Sequence, residues 1–379
     1  MSVVLKVLIL KLFIFVLNVA YLPFKLLKTS KKVVMISRQS NEVNDDFKLL
    51  GEELIKKGYE VKYLCRTLDG GVNSSLFTKI GYGFHMFTQM YHLATSEICV
   101  LDTYCLVVSI LKHKKNLKIV QIWHSIGTLK QFGWQILHRK EGSNPEIAKT
   151  LKMHQNYDVV YCAGEAYKEI LAEGFNMPPE KFHICTLPRI DLLFNNEYQT
   201  NIKNEIYKKY SVLKEKPCVV YAPTFRKDES DFQKYFSELI NEFDFNKYNL
   251  VVKLHPLSKV TVSDERVVFD TDFSTFQMIS VADKFISDYS CVVYEAGVKG
   301  IPLYFYNYDM ATYEDVRSLT INYEDLPGFK ESNAKALVAS LEKTYDYDYL
   351  KAYINKYIEN TVDCAEKMAE DIVQLQKNG

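Results

Sequence analysis

His124 stands where chemistry is easiest to imagine in this chain, in the stretch Gln121-Ile-Trp-His-Ser-Ile-Gly-Thr-Leu-Lys130. The apolar run Leu117 to Ile122 predicts a buried strand, which then breaks into a histidine, small residues and a glycine. In an α/β sheet such an ending delivers a titratable ring to the carboxyl edge, where ligands of these folds bind. Imidazole titrates near neutral pH and can take a proton from a hydroxyl. The competing reading is a histidine that only satisfies a strand end. Further along, Cys218–Tyr221 runs into Ala-Pro-Thr224-Phe-Arg226, and Leu250–Leu254 into His255-Pro256. Lys284–Ser287 stops at Asp288-Tyr-Ser290-Cys291, and Leu303–Tyr306 follows Pro302. Four strands in succession with polar or proline-marked ends form a more specific signal than any one of them.

The elements that must hold these residues alternate strand and helix. Val33–Ser37 predicts a strand, Asn44 to Lys57 a helix stopped by Gly58, and Glu60–Cys65 the next strand. Glu97–Leu101, the run before His124, Asp158–Ala163 and a short strand at His183–Leu187 follow, with a helix opening at Glu165. Regular βα alternation predicts a parallel sheet with helices on both faces. The expected division is a membrane helix over 1–30, a Rossmann-like domain over 31–194, a polar linker over 195–216, a second Rossmann-like domain over 217–332, and helices over 333–379 packing across both. Two such halves form a cleft between their carboxyl edges, and helix N-termini there suit phosphate. Neither a Gly-x-Gly-x-x-Gly after Val33 nor a Walker-type loop is present, which argues against a dinucleotide dehydrogenase or a P-loop enzyme.

Composition narrows the partners. With 379 residues, 47% hydrophobic and 25% charged, the chain is globular and long enough for two cores. A net charge of +0 and no basic stripe give no footprint for nucleic acid. The eight cysteines are scattered singly, which predicts reduced core thiols of a cytosolic protein and no structural zinc. Val3 to Leu27 is strongly apolar, and Lys6, Lys11, Asn18, Lys25 and Lys28 fall within an arc of about 140° on a helix. That predicts an amphipathic helix in the interface at the cytosolic membrane face, with lysines toward anionic headgroups. A signal peptide competes but lacks a small-residue cleavage site, and the run is also close to spanning length.

Taken together, the His124 stretch, Leu187-Pro-Arg-Ile-Asp191, Tyr221-Ala-Pro-Thr-Phe-Arg226, Lys253-Leu-His-Pro256 and Ser287-Asp-Tyr-Ser-Cys-Val-Val-Tyr-Glu295 resemble, in order, the CDP-glycerol glycerophosphotransferase family of teichoic acid synthesis. The resemblance covers roughly residues 30 to 320 and implies a GT-B fold, two Rossmann-like domains facing across a cleft. It implies transfer of polyol phosphate, glycerol phosphate first and ribitol phosphate second, from a CDP-polyol to an undecaprenyl-diphosphate-linked saccharide, with release of CMP. His124 would be the base, and His255 would face it and stabilise or protonate the departing side; a cap before Pro256 is its bland alternative. Arg189 would clamp phosphate, against an ion pair with Asp191. Thr224 and Arg226 would line the pyrophosphate path, and Ser287 belongs to the motif that supplies Asp288, Ser290 and Cys291. Ser290 and Cys291 would offer helix N-terminal N–H groups, Asp288 could equally be a helix cap, Glu295 would take ribose hydroxyls, and Lys130 would add charge near the acceptor. No metal ligand set and no cofactor are expected beyond the CDP-polyol.

The loop differs from the His-Gly-Thr-Pro-Leu-Lys of the family's polymerases, being one residue longer and without the proline. With no large extra domain, a priming-type member is the expectation. The rivals are a GT-B glycosyltransferase using a nucleotide sugar and a silent membrane scaffold.

Overall fold

The computed structural model describes all residues except 1, 68–74, 141, 227, 256–257, 317 and 378–379. The chain divides into two compact units, one of Met1–His124, Phe132–Arg189 and Glu359–Gly379, the other of Ser125–Gln131 and Ile190–Ile358.

The first unit holds a parallel sheet of β1 (Ser30–Ser37), β2 (Glu60–Cys65), β3 (Ser96–Leu101), β4 (Lys118–Gln121), β5 (Val159–Cys162) and β6 (Phe182–Ile184), in the order β2-β1-β3-β4-β5-β6. Val33, Val34, Met35 and Ile36 of β1 are all buried, as expected of a parallel strand covered on both faces. The order reverses between β1 and β3, and Asp102 follows the carboxyl end of β3 at that switch point. The helix Cys364–Lys377 also belongs here: its Asp371 accepts from Tyr161 Oη and pairs with His183 Nδ1, both at 2.6 Å.

In the second unit the sheet is again parallel: β7 (Cys218–Tyr221), β8 (Asn249–Val252), β9 (Val267–Phe269), β10 (Lys284–Ser287), β11 (Leu303–Tyr306) and β12 (Phe329–Glu331), ordered β12-β11-β10-β7-β8-β9. Its switch point lies between β7 and β10, which is where the Pro-Thr-Phe-Arg and Ser-Asp-Tyr-Ser motifs leave the sheet. The edge strands β9 and β12 are not among the strands predicted from sequence; each has three residues, too few to show a period. The polar segment 195–216 is mostly structured, with a helix over Asn196–Lys209 that buries Ile202 and Ile206 in this unit. All eight cysteines are free thiols.

The first helix, α1 (Val3–Lys25), runs the whole apolar segment and buries only Leu17 and Tyr21. At 100° per residue these two and Asn18 lie inside the lysine arc, so between Leu17 and Tyr21 that side of the helix faces the protein rather than headgroups. Asn18 Nδ2 donates to the Ile110 carbonyl at 3.2 Å, its Oδ1 accepts the Lys112 N–H at 2.9 Å, and Tyr21 Oη meets His113 Nδ1 at 3.3 Å. The opposite face, including Leu8, Leu12, Phe15, Val19 and Leu22, is apolar and exposed.

Candidate functional site

The first unit's site is built around His124. Its backbone is set by Trp123, whose φ of 61° is the left-handed region that a bulky side chain rarely enters. Strain of this sort persists only where the surroundings fix it. Here the Trp123 N–H donates to the buried Gln121 Oε1 at 2.9 Å, while Gln121 Nε2 donates to the Thr103 carbonyl at 3.1 Å. Trp123 then packs on the His124 ring, centroids 4.1 Å apart.

The tautomer of His124 follows from its partner. Nδ1 lies 3.1 Å from the Asp102 carbonyl, which can only accept, so Nδ1 carries the proton and Nε2 keeps its lone pair. Protein mass around the ring lowers its pKa, with the hydrogen bond to Asp102 opposing and the Arg189 charge adding. Asp102 itself is buried, which raises its carboxyl to about 6 against hydrogen bonds from Ser37, Thr103 and Asn44.

Arg189 is drawn to this site through α2 (Asp45–Lys56), a helix capped by the Asn44 side chain. Its Nη1 pairs with Asp46 at 2.5 Å, its N–H donates to the same carboxylate at 2.8 Å, and its Nη2 donates to the His124 carbonyl at 3.1 Å. The sequence-predicted clamp thus stands beside the sequence-predicted base and also anchors its backbone.

Behind His124 lies a histidine that no local motif singles out. His154 is buried among Tyr104, Trp123, Tyr157 and Phe175, its ring centroid 4.6 Å from that of Phe175. Burial pushes its pKa to about 3, and nearness to His124 adds to that. An unfolded histidine binds its proton near 6.5, so stability is complete above that pH and lost as pH falls from 6.5 toward 3. The expected loss at pH 5 is about 2 kcal/mol, and His154→Phe flattens that part of the stability curve. Denaturant melts of both proteins from pH 7.5 to 5 check this; parallel curves would refute it.

In the second unit, Ser125–Gln131 pairs with residues 318–320. The Thr320 N–H donates to the Leu129 carbonyl at 2.9 Å, the Gln131 N–H to Ser318 at 3.2 Å, and Lys130 bridges Leu319 antiparallel. This brings Lys130 close enough to His255 that its charge, after burial, lowers the imidazole pKa. His255 is exposed, with its ring 5.0 Å from that of Phe225; Pro256 lies outside the described residues.

Beside His255 is a depression of about 700 Å³, lined by Lys253, Leu254, Phe269, Asp272, Phe273 and Ser274 among others. That volume suits a small ligand. Lys253 is buried in its wall and held by Asp270 and by the Phe273 carbonyl, so its charge shapes the cavity and is spent on the wall.

Thr224, Arg226, Ser287 and Asp288 come together at the switch point as one polar knot. Buried Asp288 accepts the Thr224 N–H at 2.9 and 3.0 Å and pairs with Arg226 Nη1 at 2.9 Å. Arg226 reaches Asp309 as well, through Nε at 2.5 Å and Nη2 at 3.0 Å, and Ser287 Oγ donates to the Ala222 carbonyl at 2.7 Å. Arg226 is thereby committed to two carboxylates rather than left open toward solvent. Asp288 does not cap the short helix Val292–Val298, whose N-cap is Cys291. Ser290 and Cys291 sit half-buried before that helix, and Glu295 within it is buried. Among the described residues no group of three or more His, Cys, Asp or Glu side chains could hold a metal.

Two parallel six-stranded α/β units with these switch points define a GT-B fold. A solved structure of the wall teichoic acid polymerase TagF superposes with a TM-score of 0.75 at 19% identity, covering 99% of this chain and 98% of that one. The family described as CDP-Glycerol:Poly(glycerophosphate) glycerophosphotransferase matches residues 19–373, and the chain belongs to it. It is an enzyme, a CDP-glycerol glycerophosphotransferase-like phosphotransferase. Relatives include a teichoic acid ribitol-phosphate primase of Bacillus spizizenii (27% identical, 90% of each chain) and a teichoic acid glycerol-phosphate primase of Bacillus subtilis (26% identical, 72% of each chain). This chain is also 28% identical to a teichoic acid poly(ribitol-phosphate) polymerase of Bacillus spizizenii, covering 59% of that protein's length.

Proposed function

We propose that the protein transfers glycerol phosphate from CDP-glycerol to a hydroxyl of a membrane lipid-linked saccharide and releases CMP, at the cytosolic membrane face. The acceptor oxygen bonds to the phosphorus that carries glycerol, the bridging P–O bond breaks toward CMP, and the hydroxyl proton passes to His124 Nε2. The observation that carries this reading is the His124 ring, with Nδ1 held by the Asp102 carbonyl and Nε2 left to accept.

In this scheme Arg189 and Lys130 meet phosphoryl charge, His255 stabilises the departing side, and the cavity beside His255 takes the nucleotide. Thr224, Arg226, Ser287 and Asp288 hold the shape of the nucleotide side, Ser290 and Cys291 offer it N–H groups, and Glu295 meets the ribose. The two catalytic domains are taken as the two compact units described above, with α1 as the membrane element through its exposed apolar face. Ribitol phosphate is the second reading, favoured by the ribitol-phosphate primase that matches 90% of each chain.

Incubation with CDP-glycerol, CDP-ribitol and UDP-sugars, each with a disaccharide-lipid acceptor, should give acceptor-dependent CMP release and a product heavier by one or a few polyol phosphates. Release of UDP instead would favour a glycosyltransferase, and binding without turnover across acceptors a scaffold.

A further inference from the structure

Four side chains on one face of α3 (Leu76–Thr95) have no role in the site described above. Ile80, Phe84, Phe87 and Tyr91 are 49, 72, 44 and 44% exposed. Their spacing places them within roughly 60° of one another on the helix. Met90 and Leu93, on another side, are buried in the core, so α3 is seated by one face and shows a mostly aromatic stripe on the other. Single exposed apolar residues are ordinary, but a stripe of this size beside another apolar surface marks an interaction face.

That other surface is α1, which touches α3. The two helices also end at the same place. α1 leads into β1 and α3 into β3, these strands are parallel neighbours with Ser30 opposite Ser96, and Ser30 Oγ donates to the Thr95 carbonyl at 3.4 Å.

At this end the charge is one-sided. Lys114 Nζ donates to the Leu27 carbonyl at 2.5 Å, which brings the loop Lys112-His-Lys-Lys115 against the end of α1 with its Lys25 and Lys28. Among the described residues, none of Lys25, Lys28, Lys112 or Lys115 pairs with a carboxylate, and the chain has no acidic residue before Glu42. A cluster of cations bordering an apolar face matches the headgroup layer of an anionic bilayer. A second copy of this chain would have to bring acidic groups to the same place.

Resting on the membrane reading of α1, we propose that the Ile80, Phe84, Phe87 and Tyr91 stripe of α3 is a second membrane-contact face, seated beside α1 with the Lys25, Lys28, Lys112 and Lys115 cluster on anionic headgroups. α1 alone would leave the protein free to swivel; two helices and a basic edge fix which way it stands on the surface.

The test is sedimentation of the full chain with phosphatidylglycerol/phosphatidylethanolamine vesicles and with phosphatidylcholine vesicles. Phe84→Asp with Phe87→Asp should lower partitioning at least about tenfold at unchanged melting temperature, since two aromatic rings leave the interface. Lys112→Glu with Lys115→Glu should remove the preference for anionic vesicles. Wild-type partitioning by the Phe84/Phe87 variant, while Leu12→Asp with Phe15→Asp in α1 abolishes binding, overturns the α3 inference and leaves α1 standing. Failure of the wild-type protein to bind either vesicle overturns both. A vesicle-independent dimer that the Phe84/Phe87 variant converts to monomer would reassign the stripe to a chain–chain contact.

Discussion

Replacing His124 with alanine is expected to lower the rate of CMP release about 10²–10⁴-fold, the range that a positioned general base supplies, with CDP-polyol affinity kept within a few-fold. The ring is held from three directions: Nδ1 by the Asp102 carbonyl, its face by Trp123, and its backbone by Arg189. Removing the imidazole leaves that scaffold in place, so the loss should fall on turnover rather than on folding. The pH profile adds an independent check. Because the ring's surroundings disfavour its protonated form, the acidic limb of kcat/KM assigned to His124 should lie below the ordinary imidazole value near 6.5. Activity would then persist into mildly acidic buffer and fall only at lower pH. Isothermal titration with CDP-glycerol and CDP-ribitol, beside single-turnover kinetics, separates binding from chemistry; near-normal turnover in His124→Ala would remove the base.

The second large effect concerns stability. Arg226→Ala leaves buried Asp288 and neighbouring Asp309 without the cation between them. Breaking a buried pair by deleting one partner costs about 3–5 kcal/mol. For a unit of this size that corresponds to a fall in melting temperature of roughly 6–20 °C. Arg226→Lys should fall between wild type and alanine, because one ammonium cannot reproduce the fork that engages both carboxylates and the Thr224 carbonyl. Calorimetry decides between a strut and a ligand: a purely phosphate-binding arginine would change KM and leave the melt unmoved. An unchanged melting temperature would return Arg226 to the role first expected of it.

Much of the frame was legible because buried parallel strands are local and uninterrupted in sequence. Glu60–Cys65, Cys218–Tyr221, Lys284–Ser287 and Leu303–Tyr306 form strands with the boundaries read from their apolar runs. The helix expected over Asn44 to Lys57 runs Asp45–Lys56, with Asn44 as its cap, and the cysteines are unpaired. β9 and β12, three residues each, were not read as strands because so short a segment carries no periodicity, whereas β6, equally short, lies within the longer run read at His183–Leu187. His154 escaped because nothing in Met153-His-Gln distinguishes a histidine that the fold will enclose in aromatics from one on a surface.

From the sequence alone came the two α/β halves and the arrival of His124 and His255 at strand ends, since each depends on a run of neighbouring residues and its stop signal. Only the tertiary structure decided whom those residues meet. Arg189 finds Asp46 across 143 positions, Arg226 finds Asp309 across 83, and Thr320 Oγ1 bonds the Thr128 carbonyl across 192. It also decided that part of the lysine arc of α1 faces protein. Such pairings follow from strand order and the side of the sheet on which each connection returns, and no local pattern encodes either.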